Sequence, residues 1–334
     1  QTGALFGLVT GIVFGVAAQR SRFCLRAATV EFARRRMGPS VAVWLLTFST
    51  ALAWVQGASL LGWMRVEDAR MMAVTGSWSG AIIGGLMFGV GMVLARGCAS
   101  RLTVLGGTGN LRALFVILVF AVVAHATLKG VLAPMRVALG SVTLGLGDYV
   151  SLAALPGGVM LWGGLIVVAA LAVALRSGNR WTHLVMAAMI GLLVPLAWVG
   201  TGFILFDAFD PIAMESLSFT SPSADALFWV VASSSIPAGF GVGLLGGVAL
   251  GACASSLIFG GFGWQSFETP AQTGRYLAGA ALMGVGGVLA GGCTLGAGLS
   301  GVPTLSLAAI LAIVMIGVGV LAMHAFLRAT PAGS

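Results

Sequence analysis

The chain has 334 residues, 59% of them hydrophobic and 8% charged, with a formal net charge of +8. That balance excludes an ordinary soluble domain, which cannot hide so much apolar surface behind so few charges. The positive charge does not point to nucleic acid, because the arginines lie in short links between apolar runs, where orientation in a bilayer places them.

Apolar runs long enough to cross ~30 Å of hydrocarbon recur along the whole chain. In order they cover about 3–18, 41–61, 80–95, 113–132, 157–175, 183–205, 227–251 (interrupted by Pro237), 274–290 and 305–327. The spacing therefore predicts an all-α polytopic membrane protein with about nine transmembrane helices, forming one transmembrane domain over residues 1–334. The link 133–155 has room for a short amphipathic piece. The N-terminal run lacks a basic start and a cleavage site, so no cleavable signal is expected. Four cysteines without a CxxC pair make neither a zinc nor an iron–sulfur pattern, so no metal and no cofactor are expected.

Loop charge sets the orientation. Arg20, Arg22, Arg26, Arg34, Arg35 and Arg36 follow the first span, which places that link in the cytoplasm and the N-terminus outside. Counting onward, Arg96, Arg101, Arg112, Arg176, Arg180 and Arg328 fall inside, with the C-terminus. The one acidic stretch, 207–225, falls outside.

The third and eighth spans end in nearly the same words. GVGMVLARGC at 89–98 and GVGGVLAGGC at 284–293 differ only at Met92/Gly287 and Arg96/Gly291. The segments 79–128 and 274–324 thus read as repeat-related, and the span count runs them in opposite directions, as an inverted repeat. A weaker echo pairs GLVTGIVFG (7–15) with GFGVGLLGG (239–247). The count gives both the same direction, so this echo is either glycine packing or the sign of a misplaced span.

Cys24, Cys98, Cys253 and Cys293 all read as standing at span ends, beside glycine or arginine. The uncharged loop GGCTLGAGLSG around Cys293 offers accessible amides and can fold inward at membrane depth. No histidine (His125, His183, His324) sits in a cysteine loop to act as a base, so the thiols are read as touching a ligand rather than cleaving it, and no enzyme is expected. A thiol is a weak donor and a soft acceptor, which suits a sulfur-containing anion better than sulfate or phosphate. Arg20, Arg22, Arg96 and Arg101, with Gly97, Gly292 and Thr294, are the candidates for holding its charged part. The competing readings are plain: a cysteine as a small apolar residue, and arginines that serve only topology.

QRSRFC, RGCASR and GGCTLGAGLSG resemble the cysteine motifs of the YeeE/YedE family of bacterial sulfur-compound transporters. The resemblance spans nearly the whole chain. It implies nine spans with short re-entrant helices from both faces, an hourglass shape, and uptake of thiosulfate across the cell inner membrane. The three cysteines that line the family's path match Cys24, Cys98 and Cys293 by motif, whereas Cys253 in GACASS matches none of them. Some members work with a small TusA-like sulfurtransferase, the partner this implies besides substrate and lipid bilayer. The alternatives are a membrane thiol redox or sulfur relay, and transport of another sulfur or selenium compound. The sequence leaves the energy source open. Two charges moving inward against 100 mV cost about 4.6 kcal/mol, and His125 is one candidate proton carrier, its competing reading being a hydrogen-bonded helix histidine.

Overall fold

The computed structural model describes residues 2–34, 38–64, 75–145, 158–205 and 214–329; Arg35, Arg36, Asp207 and Asp210 lie outside them. In chain order the helices are α1 (Thr2–Ser21), α2 (Leu25–Ala33), α3 (Pro39–Leu60), α4 (Trp78–Leu94), α5 (Ala99–Gly107), α6 (Leu111–Lys129), α7 (Ala133–Leu139), α8 (Gly158–Arg176), α9 (Trp181–Val199), α10 (Thr220–Ala232), α11 (Phe240–Phe259), α12 (Pro270–Leu289) and α13 (Leu307–Ala329). A π-helical turn, Gly200–Ile204, extends α9, and a second π-helical segment, Thr294–Gly301, follows α12. Among the described residues eight segments are long and apolar enough to cross a bilayer, and α8 adds the shorter apolar stretch Leu161–Arg176.

Helix starts follow local chemistry. The side chains of Ser77, Asn110 and Thr269 accept the amides of Gly80, Ala113 and Gln272 at 3.0, 3.0 and 3.2 Å, capping α4, α6 and α12. Pro270 then opens α12, where a missing N–H costs nothing. Two three-residue strands, β1 (Thr75–Ser77) and β2 (Thr143–Gly145), pair antiparallel, a small departure from the all-α expectation.

One expected span is corrected. The apolar run 227–251 is not a single interrupted helix: α10 starts earlier, at Thr220, and stops at Ala232, and the crossing helix is α11. Three serines and Pro237 break the chain between them. At 1.5 Å per residue the 13 residues of α10 reach about 20 Å, too short to span.

Glycine seams hold the helices together. Lipid gives no hydrophobic drive between helices, so close backbone packing must supply the attraction. Gly7, Gly11 and Gly15 of α1 lie on the backbone of α11 around Phe240, Leu244 and Val248, in the same order along both chains, so the two helices run parallel. The weaker sequence echo is therefore a packing pair. Between α4 and α12 the order is reversed. A Cβ on Gly84 would stand 2.6 Å from Gly286 O, and one on Gly91 would stand 2.6 Å from Gly279 O. The decamer helices are thus antiparallel, inverted against each other. A shift of 195 residues (279 − 84 and 286 − 91) exchanges these two contacts, which is what a twofold axis between the helices produces. The core includes aromatic side chains: Phe14, Phe88, Phe120 and Phe219 are fully buried, with the Phe14 and Phe219 rings 5.7 Å apart.

Candidate functional site

Three of the four cysteines stand in the same local device. α1, α4 and α12 each end, and the residue two before the cysteine turns left-handed: Arg22 at φ 54°, Arg96 at φ 59°, Gly291 at φ 76°. The cysteine then takes the extended N-cap position of a short helix, Cys24 for α2, Cys98 for α5 and Cys293 for the π-helical segment. Left-handed backbone is free for glycine and costs other residues of order 1 kcal/mol, so Arg22 and Arg96 are held there by the surrounding structure. The glycine-rich stretch 291–301, read from sequence as a loop, contains one of these short helices, Thr294–Gly301. Such helices satisfy their own backbone at a depth where an open loop would not.

The device brings the thiols together. Cys98 and Cys293 are buried, Cys24 is half-buried, and all are free thiols. Cys98 lies within electrostatic reach of both Cys24 and Cys293, so the three thiols gather in one region. Ser100 Oγ is 3.3 Å from Cys98 Sγ. The amide of Gly296 donates to Cys293 Sγ at 3.5 Å, and those of Leu295 and Phe219 face the same sulfur. Gly292 and Thr294 are buried beside it, and a Cβ on Gly292 would meet Ala297 N at 2.8 Å.

The arginines separate. Arg101, half-buried on α5, and Arg26 on α2 act electrostatically on Cys24. Arg26 Nε is buried without a partner among the described residues, and it was absent from the sequence-based candidates. Arg22 and Arg96 are exposed, and exposed Arg20 lays its guanidinium 4.2 Å over the Phe259 ring. Gly97 is buried under Leu102. Cys253 does not end a span: it lies half-buried within α11, apart from the three junctions. His125 stacks on Phe228, ring centroids 5.1 Å apart, and Glu268 reaches Arg112 at 3.7 Å. Phe219, which brings an amide to Cys293, carried no sequence signal, because it lies in the acidic link 207–225, outside every expected span.

Bilayer-length helices joined by short half-depth helices, with free thiols at their tips, define a multi-pass membrane protein of transporter type. The chain belongs to the Sulphur transport family, whose model matches residues 20–322. It is similar to the protein named Thiosulfate transporter TsuA of Spirochaeta thermophila, 28% identical over 342 residues that cover 92% of this chain and 93% of that one. It is likewise similar to Thiosulfate transporter TsuA of Escherichia coli strain K12, 30% identical over 318 residues, covering 88% and 86%. The YeeE/YedE resemblance carried by the cysteine motifs agrees with both.

Proposed function

We propose that this chain imports thiosulfate across the bacterial cell inner membrane, passing it from Cys293 to Cys98 to Cys24. The observation that carries this reading is the set of three free thiols, each at the N-cap of a short helix, with Cys98 within electrostatic reach of the other two. The reading is supported by the thiosulfate transport named for the two relatives. Thiosulfate presents a soft sulfur at one end and hard oxygens at the other. A thiol meets the first, while Arg26 and Arg101 offset the charge beside Cys24. Successive weak contacts allow release, where one tight site would trap the ion. No chemical conversion is part of this scheme, so the chain is not an enzyme. A TusA-like sulfurtransferase on the cytoplasmic side would consume the product and offset the unfavourable potential. The segments 79–128 and 274–324 are two copies of one unit in this reading, each bringing one cysteine to the waist from its own side.

The direct test is growth of a bacterium lacking its own uptake systems on thiosulfate as sole sulfur source, with and without this chain. Growth that does not depend on the chain would remove the proposal. The orientation is tested separately. The arginine asymmetry puts the N-terminus in the periplasm and the C-terminus in the cytoplasm. In a cysteine-free background, an impermeant thiol label added outside is expected to react at a cysteine placed at Ser235, before α11, and not at one placed at Arg34, after α2. The opposite pattern would reverse the order of the cysteines.

A further inference from the structure

We propose that Thr220 and Ser223, on the first turn of α10, form the oxygen-binding half of a subsite whose sulfur-binding half is Cys293. The proposal rests on the thiosulfate reading above and names the groups that receive the anion's oxygens on the outer side. Both side chains are almost completely buried, 1% and 2% exposed, and neither hydroxyl has a hydrogen-bond partner among the described residues. This sets them apart among the described residues. Elsewhere the helix hydroxyls bond the carbonyl one turn back, as Thr10, Thr47, Thr103 and Thr127 do at 2.7–2.9 Å. A buried hydroxyl left unpaired is costly, and two on one helix face, three residues apart, is a costly pair to keep without a ligand.

The surroundings point the same way. The residue before Thr220 is Phe219, whose amide faces Cys293 Sγ, so this turn starts beside the thiol. Ser223 N donates to Phe219 O at 3.3 Å as the first bond of the helix, and Pro222 has no amide. The amides of Thr220 and Ser221 therefore stand ahead of the intrahelical ladder, at the positive end of the helix. Across from Thr220, on α12, is Gly287, where an added Cβ would stand 3.0 Å from Thr220 Oγ1. Gly287 is one of the two positions at which the decamers differ, and its counterpart in the inner copy is Met92. The outer copy thus lets the Thr220 side chain lie against the α12 backbone at the position where the inner copy carries a methionine side chain. Further along α10, Asp225, Phe228 and Trp229 line a separate cavity of about 300 Å³ with Lys129 and Glu215.

The variants Thr220→Val and Ser223→Ala remove the hydroxyls with little change of shape. Uptake of radiolabelled thiosulfate by cells carrying the full chain is expected to show a KM raised about tenfold for each, and Thr220→Ser is expected to stay near the parent. The melting temperature of the detergent-purified protein without thiosulfate is expected to hold or rise in both variants, because an unpaired buried hydroxyl has been removed. A double variant with the parental KM would overturn the proposal. So would variants that fail to accumulate or that melt lower, which would make the hydroxyls structural. Absence of saturable uptake by the unaltered chain would instead defeat the transport reading itself, and this proposal with it.

Discussion

Replacing Cys98 or Cys293 by alanine is expected to abolish thiosulfate uptake while the protein still accumulates in the membrane. Both thiols are buried at the tips of short helices, 1% and 0% exposed, where an anion on the proposed path would have to shed its water. A methyl group offers neither an S–H donor nor a soft acceptor there. An unmet polar contact costs ~1–3 kcal/mol, and more for a charge, so a loss of at least 10–100-fold in rate follows. Folding should survive, because the N-cap carbonyls of Cys98 and Cys293 accept Leu102 N and Ala297 N at 2.9 and 2.8 Å through the backbone alone. Serine is the sharper substitution. It keeps a hydroxyl of similar size but is hard and weakly polarizable, so if sulfur-to-sulfur contact matters it fails nearly as badly as alanine at both positions. Cys24, half-exposed and flanked by Arg26 and Arg101, is expected to tolerate change better. Cys253, inside α11 and at none of the three helix junctions, is expected to tolerate it best. Parental uptake by both alanine variants, measured against protein level, would leave the thiol path without support.

A second large effect is expected on the α1–α11 seam. Gly247→Leu should prevent stable accumulation, whereas Gly246→Leu, one residue away, should accumulate at the parental level or above. A Cβ on Gly247 would meet Ile12 N at 2.9 Å and Gly11 Cα at 3.0 Å, and would run into Leu8 O. These are backbone atoms of a packed helix and cannot swing aside as a side chain can. Ordinary overpacking costs 1–3 kcal/mol, and forcing two helix backbones apart along the whole seam costs more, against a total stability of 5–15 kcal/mol. Nothing lies within 4 Å of a Cβ on Gly246, which faces outward. Leucine there raises helix propensity and meets lipid. Immunoblots of membrane fractions separate the two. Equal accumulation of both variants would show that the seam does not hold the fold.

The amino-acid pattern by itself determined the class, because an apolar run of bilayer length is a local property that any neighbour leaves intact. It also determined the inverted decamers, since repeated residues and a count of crossings are enough to establish direction, and α4 and α12 do run antiparallel. The position of Cys98 and Cys293 just after a helix was legible from Gly-Cys following an apolar stretch. The tertiary structure alone decided three things. The start of α10 was hidden, because its first turns, Thr220–Asp225, are polar and read as part of a link, and the break at Pro237 did not by itself show that the helix before it stops short of a crossing. The shared geometry of Arg22, Arg96 and Gly291 was hidden because a left-handed φ is signalled by glycine and not by arginine. The contact of the Phe219 amide with Cys293, 74 residues apart (293 − 219), was hidden because nothing local couples an amide on one helix turn to a sulfur on another. That pairing arises only when the seams draw the helices close enough to bury both.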